Sequence, residues 1–531
     1  MSRASLPFLM PRTLPSRLPP SRPMSTDDDR SRHTHYPPTQ HPMPGIARAC
    51  VRIAERTRPS SCRSGPQTDA PHARRGHQEG AMSPLRTLPY GLVFVAIACS
   101  PDGEPPQTTG NAMWFEGARL IVGDGGAPVE SSAFLVEEST FTWVGRQGER
   151  EPPEGAARVD LRGKTVIPAL IDAHQHIGLT NIKDGTSSTD NYTRENLIEH
   201  LERSAYHGVA ATMSLGLEFD EALAFQLRDE VIPNAAHFLT SGRGIAGTPM
   251  AGPQQAYRLG IPRGALTEAE GRAAVRELHA NNVDLVKVWV DDRGGTVPKV
   301  EPNVYRAIID EAHARGMRVV AHLGTTSALE DAKDLLRAGI DGFAHTIRDR
   351  DIDEEYMALV RQYPEVWTIP NLPGSPVTMD DLPWLQETLP PFEIESLRRQ
   401  IERREAAEPR GSNDLFQLQC RNLARNHDAG MRIGMGTDSG TSVAWTTHTE
   451  LRDMVTCGLS PMEVIVAATR INADILGLDQ LGMVAAGKSA SFVVLDANPL
   501  EDIKTTHRIS HVYLRGEEVD REALRAKWSR P

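Results

Sequence analysis

Residues 165–179, "TVIPALIDAHQHIGL", form an apolar run of strand-forming residues that ends on two histidines, His174 and His176. Side chains on a strand alternate between faces, so residues two apart point to the same side. Both imidazoles therefore converge from one strand end. Neutral imidazole is the commonest metal ligand, and two on one rigid strand need little further ordering. Such a pair is half of a metal site, but it is equally what a polar strand end meeting solvent looks like. The other half has to come from elsewhere in the chain.

From Thr165 onward the chain alternates strand with helix, the pattern of a parallel sheet with helices outside it. Strand candidates end near His176, Leu215, Ser241, Val290, His322, His345, Asn371 and Asp438. The spacing predicts capping boxes at Thr267 with Glu270, Ser327 with Glu330, and Ser460 with Glu463, and Gly316, Gly339 and Gly477 stand where helices should stop. Eight strand–helix units over residues 165–482 predict a (β/α)8 barrel, with its active site at the C-terminal strand ends. An open doubly wound sheet is the alternative, but no Gly-rich phosphate turn follows any strand. Residues 113–164 and 483–531 are short alternating strands with Gly turns, expected to pair as one composite β-domain. The Pro-, Glu- and Arg-rich segment from Leu372 to about Asn413 follows the seventh strand and should overhang the active face as a lid.

The first 99 residues differ in kind. Residues 1–81 are crowded with Pro, Arg, Ser and His, lack Lys, and have no periodic apolar run, so they cannot bury a core. Met82 opens "MSPLRTLPYGLVFVAIACS", with Arg86 in a short basic region, an apolar stretch from Leu92 to Ala98, and then Cys99. Residues 82–99 read as a secretory signal, too short to span a bilayer. Ala96-Ile97-Ala98-Cys99 resembles the lipobox of bacterial lipoproteins, which implies a lipidated Cys99 and membrane attachment; a plain signal peptide is the alternative. A signal works only at an N-terminus, so translation is expected to start at Met82. Residues 100–112 would be a tether, and the protein an exported, periplasmic or membrane-anchored one.

Of 70 acidic and 58 basic residues, the first 99 positions hold 6 and 14, leaving 64 and 44 and a net charge of −20 for the body. An acidic body of this kind disfavours nucleic acid as a partner and leaves a small-molecule substrate. Five Cys make no disulfide framework: Cys50, Cys62 and Cys99 precede the body, and Cys420 and Cys457 have neither metal-site nor redox-pair spacing.

The remaining strand ends carry the chemistry. The fourth strand, "VDLVKVWV", places Lys287 among apolar side chains, one of only eight Lys in the chain. An unpaired ammonium there loses several kcal/mol of hydration. Such a lysine is either satisfied by an interior carboxylate or kept neutral enough to react with carbon dioxide and bridge two metals as a carbamate. The fifth strand, "RVVAHLG", ends at His322, the sixth, "DGFAHTI", at His345, and the eighth, "MRIGMGTDSG", at Asp438. Singly, each histidine reads as a satisfied core group and Asp438 as a turn cap. Together with His174, His176 and Lys287 they converge from five strands on one mouth, which is the pattern of a metal centre.

With "VIPALIDAHQH", "VKVWV", "GFAHTI", "GTDSG" and "LGMVAAGKSASFVVLDANPLEDI", residues 113–520 resemble the amidohydrolase superfamily, in particular its imidazolonepropionase-related and prolidase-like members. The resemblance implies a barrel flanked by a composite β-sandwich and a binuclear centre, usually zinc. By carry-over His174, His176 and Asp438 would hold one metal, His322 and His345 the other, and carboxylated Lys287 would bridge them. Two such cations share a hydroxide and bring the pKa of water towards neutrality. Asp438 would take its proton and pass it to a leaving amine. The expected substrate is a dipeptide or N-acyl amino acid. Deaminases of the superfamily lack the lysine and carry a Glu shortly after the fifth-strand histidine, where Gly324 and Thr325 stand here. Lactone or phosphotriester hydrolysis stays open, and so does a non-catalytic binding lipoprotein, whose mark would be a lost ligand. For substrate contacts, Arg243 in "SGRGIAGTPMAGPQ" could meet a carboxylate, and His448 could line the pocket.

Overall fold

Strands buried on both faces read as continuous apolar runs, because helices cover one side and packed side chains the other. Eight strands of this kind form among the described residues, the first seven ending close to the expected positions and the last stopping at Ile433, short of Asp438: β1 Leu170–Gln175, β2 Val209–Ser214, β3 His237–Thr240, β4 Val286–Val290, β5 Val319–Leu323, β6 Gly342–Ala344, β7 Trp367–Ile369 and β8 Arg432–Ile433. The structure is a computed structural model that describes residues 112–529 except 253–254, 373, 375, 408–412 and 441–443. The leader 1–81, the signal 82–99 with Cys99, and all but the last residue of the tether 100–112 lie outside the described residues.

All pairings among these eight strands are parallel, within a mixed α/β fold. β1, β2 and β3 make one sheet, and β4 to β8 a second that also takes in Ile245–Ala246 and Arg263–Gly264. Main-chain hydrogen bonds run between the two sheets at both edges. Asp284 N donates to Thr240 O at 3.0 Å. On the far edge Ala173 N donates to Met435 O at 3.1 Å, Asp438 N to His174 O at 2.7 Å and His176 N to Ser439 O at 2.7 Å.

Alternation decides what each face carries. Val286, Val288 and Val290 of β4 and Val319, Ala321 and Leu323 of β5 share one apolar cluster with Val275, Leu278, Val304 and Ile308 of the helices Glu268–Ala280 and Pro302–His313. Lys287 and His322 fall between them, on the opposite face of adjacent strands, in a register that sets Lys287 beside Val320 and Trp289 beside His322. Glycines make the room: a Cβ at Gly216 or Gly244 would come within 3.1 Å of Lys287 Cγ.

The opening stretch is not one strand. Thr165–Pro168 pairs antiparallel with Phe492–Leu495 and parallel with Arg119–Leu120, and only after Ala169 does the chain enter β1. That first half belongs to a five-stranded sheet drawn from both ends of the body, while Ala112–Glu116, Ser132–Glu137, Thr140–Arg146 and Ala157–Asp160 form a four-stranded one. Phe115 and Phe134 of the second sheet stack at 4.9 Å and meet Phe492 of the first edge-on at 5.2 Å. The apolar run makes the stretch read as continuous, whereas Pro168, which has no N–H to give to a ladder, stands where the chain leaves one sheet for the other.

Two of the three expected capping boxes form, at Thr267 and Ser460. Ser327 does cap its helix by position, but its hydroxyl donates to Asp331, which Lys299 also holds at 2.9 Å. Gly316, Gly339 and Gly477 all take left-handed φ at helix ends. The Leu372–Asn413 segment carries the helix Pro391–Ala406, in which only Ile394 and Ile401 are buried. One expectation is corrected: Cys420 and Cys457 are joined by a disulfide. Spacing along the chain hid the pair, because it is the fold that brings the helix Asp414–Asp428 against the end of the helix Thr446–Thr456.

Candidate metal centre

β1 delivers His174 and His176 to one edge, and the chain leaving β8 is laid against it so that Asp438 faces both. His176 Nε2 lies 3.0 Å and His174 Nε2 3.4 Å from Asp438 Oδ1, and one ligand atom from each of the three residues fits within 4.8 Å of the others. His174 Nδ1 donates to Asn371 Oδ1 at 2.9 Å, since an amide oxygen only accepts, and this leaves the Nε2 lone pair aimed at the carboxylate. Asn371 is itself fixed by donating to Gly436 O at 2.7 Å. Beneath them the buried Asp172 accepts from His174 N, Thr437 N and Thr437 Oγ1, tying β1 to the β8 loop.

The second pair stands next to the first. The His322 and His345 rings meet edge-on at 4.7 Å, with His345 Nε2 3.0 Å from His322 Nδ1, and the His345 ring is 5.4 Å from that of His174. His345 Nε2 is 3.8 Å from Asp438 Oδ2. Asp291, which follows β4, sits 3.7 Å from His322 Nε2. Arg348 donates to His322 Nε2 at 3.3 Å and to Leu323 O at 3.1 Å.

Three of these strand ends carry a residue with positive φ. His345, Asn371 and Asp438, the residues at or just beyond the ends of β6, β7 and β8, all have left-handed φ, at 93°, 48° and 51°. Each costs a non-glycine residue roughly 1–3 kcal/mol, which the surrounding contacts must hold in place.

Electrostatics keeps the donors free. Burial pushes His176 and His322 down to about 4, and carries His174 and His345 well below their ordinary value, so all four rings are neutral near pH 7. Burial would raise Asp438, but the facing imidazoles hold it well below the ordinary carboxylate range. Lys287 is fully buried, its Nζ has no hydrogen-bond partner, and burial brings its pKa down to about 7. His174 Nε2, His176 Nδ1 and His345 Nδ1 are likewise buried without partners. Neutral imidazoles with idle nitrogens round a carboxylate are a donor set suited to a divalent cation.

The structure thus groups His174, His176, His322, His345 and Asp438 in one cluster, with Lys287 on the same face of β4 and β5 as His322. The two candidate substrate contacts are engaged elsewhere. Arg243 donates to Ile261 O and Gly260 O, and His448 packs against His207 and Trp384 with Nδ1 at 3.1 Å from Thr506 Oγ1. Neither has a hydrogen bond or ion pair to the cluster among the described residues. Sequence reasoning missed Asn371 and Asp172. Asp172 left a signal, a carboxylate inside an apolar strand two residues before His174; Asn371 left only its place at a strand end.

A pocket of about 570 Å³ opens beside Thr437, between Val377, Glu393 and Leu397 of the lid segment and Trp445 and Glu450 of the helix region after β8.

Comparison with known proteins agrees with this geometry. The sequence profile of the Amidohydrolase family matches residues 165–519. The chain is 26% identical over 329 residues to an uncharacterized protein of Mycobacterium tuberculosis, covering 60% of this chain and 76% of that one. It is 24% identical over 444 residues to ochratoxinase of Aspergillus niger, covering 75% and 84%. A solved Xaa-Pro dipeptidase with methionine bound in its active site shares the fold, with a TM-score of 0.59 and 20% identity over 77% of this chain and 99% of that one. The chain belongs to the amidohydrolase family and is a hydrolase acting on carbon–nitrogen bonds.

Proposed function

We propose that this protein is an exported, metal-dependent hydrolase that cleaves the amide bond of a dipeptide or N-acyl amino acid. The observation that carries the reading is the cluster of His174, His176 and Asp438, within 4.8 Å of one another, with imidazole nitrogens that have no protein partner. In this reading β1 to β8 close as one (β/α)8 barrel that begins at Leu170 rather than at Thr165 and runs to about residue 482, supported by the hydrogen bonds at both sheet edges. Residues 113–164 and 483–531 form one composite domain, supported by the shared aromatic core. The Cys420–Cys457 disulfide supports export, since disulfides persist in oxidising compartments. Lipidation of Cys99 belongs to the same proposal.

His174, His176 and Asp438 would hold one cation and His322 and His345 a second, with Lys287 bridging as a carbamate. When bound, two such ions, zinc by family resemblance, supply Lewis acidity to a water and to the scissile carbonyl. The chain's own groups do the rest. Asn371 holds the His174 ring in the tautomer that presents Nε2. Asp438, ionised and within hydrogen-bond reach of the cluster, accepts the proton of the attacking water and delivers it to the departing amine nitrogen. Lys287, neutral in a large fraction of molecules near pH 7, is able to add carbon dioxide.

The test is metal analysis and carbon-13 NMR of the full chain grown with zinc and labelled bicarbonate, followed by assay on Xaa-Pro dipeptides, N-acyl amino acids and lactones. Two zinc per chain, a carbamate resonance and amine release are expected. In Lys287→Met the carbamate signal should vanish, zinc should fall towards one per chain, and turnover should drop by at least about 100-fold. Metal-free protein with an unmodified Lys287, or turnover of purines or pyrimidines alone, overturns the proposal.

A further inference from the structure

A guanidinium buried without an acid beside it is rare, because it forfeits hydration and gains no ion pair. Two arginines are buried among the described residues, Arg203 and Arg258. Arg203 pairs with Glu199 at 2.8 Å. Arg258 is different. It closes the short turn Ala256–Arg258 in the long loop after β3, is 7% exposed, and has no ion pair among the described residues, and its Nε has no hydrogen-bond partner.

Its position is fixed by Gly440, two residues beyond Asp438. A Cβ placed on Gly440 would fall 2.2 Å from Arg258 Nη2 and 3.0 Å from His176 O. The guanidinium therefore lies against the main chain of His176 and the loop that bears Asp438, on the rim of the candidate centre. The carboxylates of the site are used: Asp438 faces the histidines and Asp172 accepts from Thr437 and His174. What the rim holds is an unneutralised, planar, two-pronged cation, the geometry that pairs with a carboxylate through two parallel hydrogen bonds.

We infer that Arg258 binds the free carboxylate of the substrate, so that the enzyme requires an acyl amino acid or dipeptide whose carboxylate lies one residue beyond the scissile amide. This rests on the amidohydrolase reading above. Arg258 is a specificity residue: it touches the substrate away from the bond that breaks, and its contribution should fall on discrimination between acids and neutral analogues.

The experiment compares three acid and amide pairs: N-acetyl-L-leucine with its amide, N-acetyl-L-proline with its amide, and glycyl-L-proline with its amide. For the zinc-loaded full chain, binding is measured by calorimetry and hydrolysis by amine release. The intact protein should favour the acid of at least one pair by on the order of 100-fold. Arg258→Gln should compress that ratio to within about threefold, and Arg258→Lys should keep part of it. Gly440→Ala reaches the same end by another route, since its methyl group displaces the guanidinium, and it guards against misfolding of the first variant. Zinc content should be equal in all variants that fold. If acids bind preferentially and lose that preference in Arg258→Gln while no pair is hydrolysed, the inference stands and the hydrolase reading falls. An unchanged ratio in both Arg258→Gln and Gly440→Ala, or no preference for any acid in the intact protein, overturns the inference.

Discussion

Lys287 and Glu218 are both buried ionisable groups without partners, and each carries a different consequence. Glu218, just past β2, is fully buried, and neither carboxylate oxygen has a hydrogen-bond partner. Burial pushes its pKa up to about 8 against the pull of nearby Ser214 and Thr240. The folded state thus holds a proton that the unfolded chain releases near 4.5. The stability this proton gives is complete below about pH 4.5 and is lost as pH rises through about 8. Across that window the intact protein should lose on the order of 1 kcal/mol per pH unit relative to Glu218→Gln. Urea unfolding at pH 5, 6.5 and 8 measures the gap, and parallel curves for the two proteins would sink the assignment. At this scale the sequence was informative where chemistry demands an improbable residue. Lys287 in an apolar strand and histidines at successive strand ends stood out. Asn371 did not, because a strand-end asparagine is ordinary and its value lies in one hydrogen bond to His174. Arg258 did not either: its isolation is a fact about what the fold fails to bring near it.

Among the elements, β6 is the least forgiving. Gly342 faces the Trp367 ring of β7 so closely that a Cβ would lie 2.2 Å from it, and Trp367 is itself buried. Gly342→Ala is expected to destabilise by about 1–3 kcal/mol through overpacking, read as a lower urea midpoint with an unchanged slope. A wild-type midpoint would mean that Trp367 has room to move. Helix boundaries and most strands were legible because apolar period, caps and glycine stops agreed at the same positions. The exceptions share a cause. Ser327 had the right neighbour three residues on, but Asp331 and Lys299 compete for its hydroxyl. Thr165–Leu179 reads as one strand because local propensity carries no information about which sheet each half will join.

Over the whole molecule, the disulfide is the contact that the sequence concealed most completely. Cys420 and Cys457 close a loop of 37 residues that contains β8, Asp438 and the helix Thr446–Thr456. Replacing both with Ser should cost about 2–4 kcal/mol and leave the loop bearing Asp438 less restrained in the unfolded ensemble. Denaturant melts of the full chain with and without the substitution check the magnitude. Mass analysis after alkylation without reduction should find Cys420 and Cys457 unmodified, and alkylation of both would refute the link.

The split of the opening stretch also sets an order of events during synthesis. Thr165–Pro168 can pair early with Arg119–Leu120, but its other neighbour, Phe492–Leu495, emerges only when nearly all of the chain has left the ribosome. Contacts so distant in sequence close late. His174 and His176 are among the first functional groups to be translated, and although β1 can pair early with β2, a chain cut short before Phe492 should lack the antiparallel partner of the segment that leads into their strand.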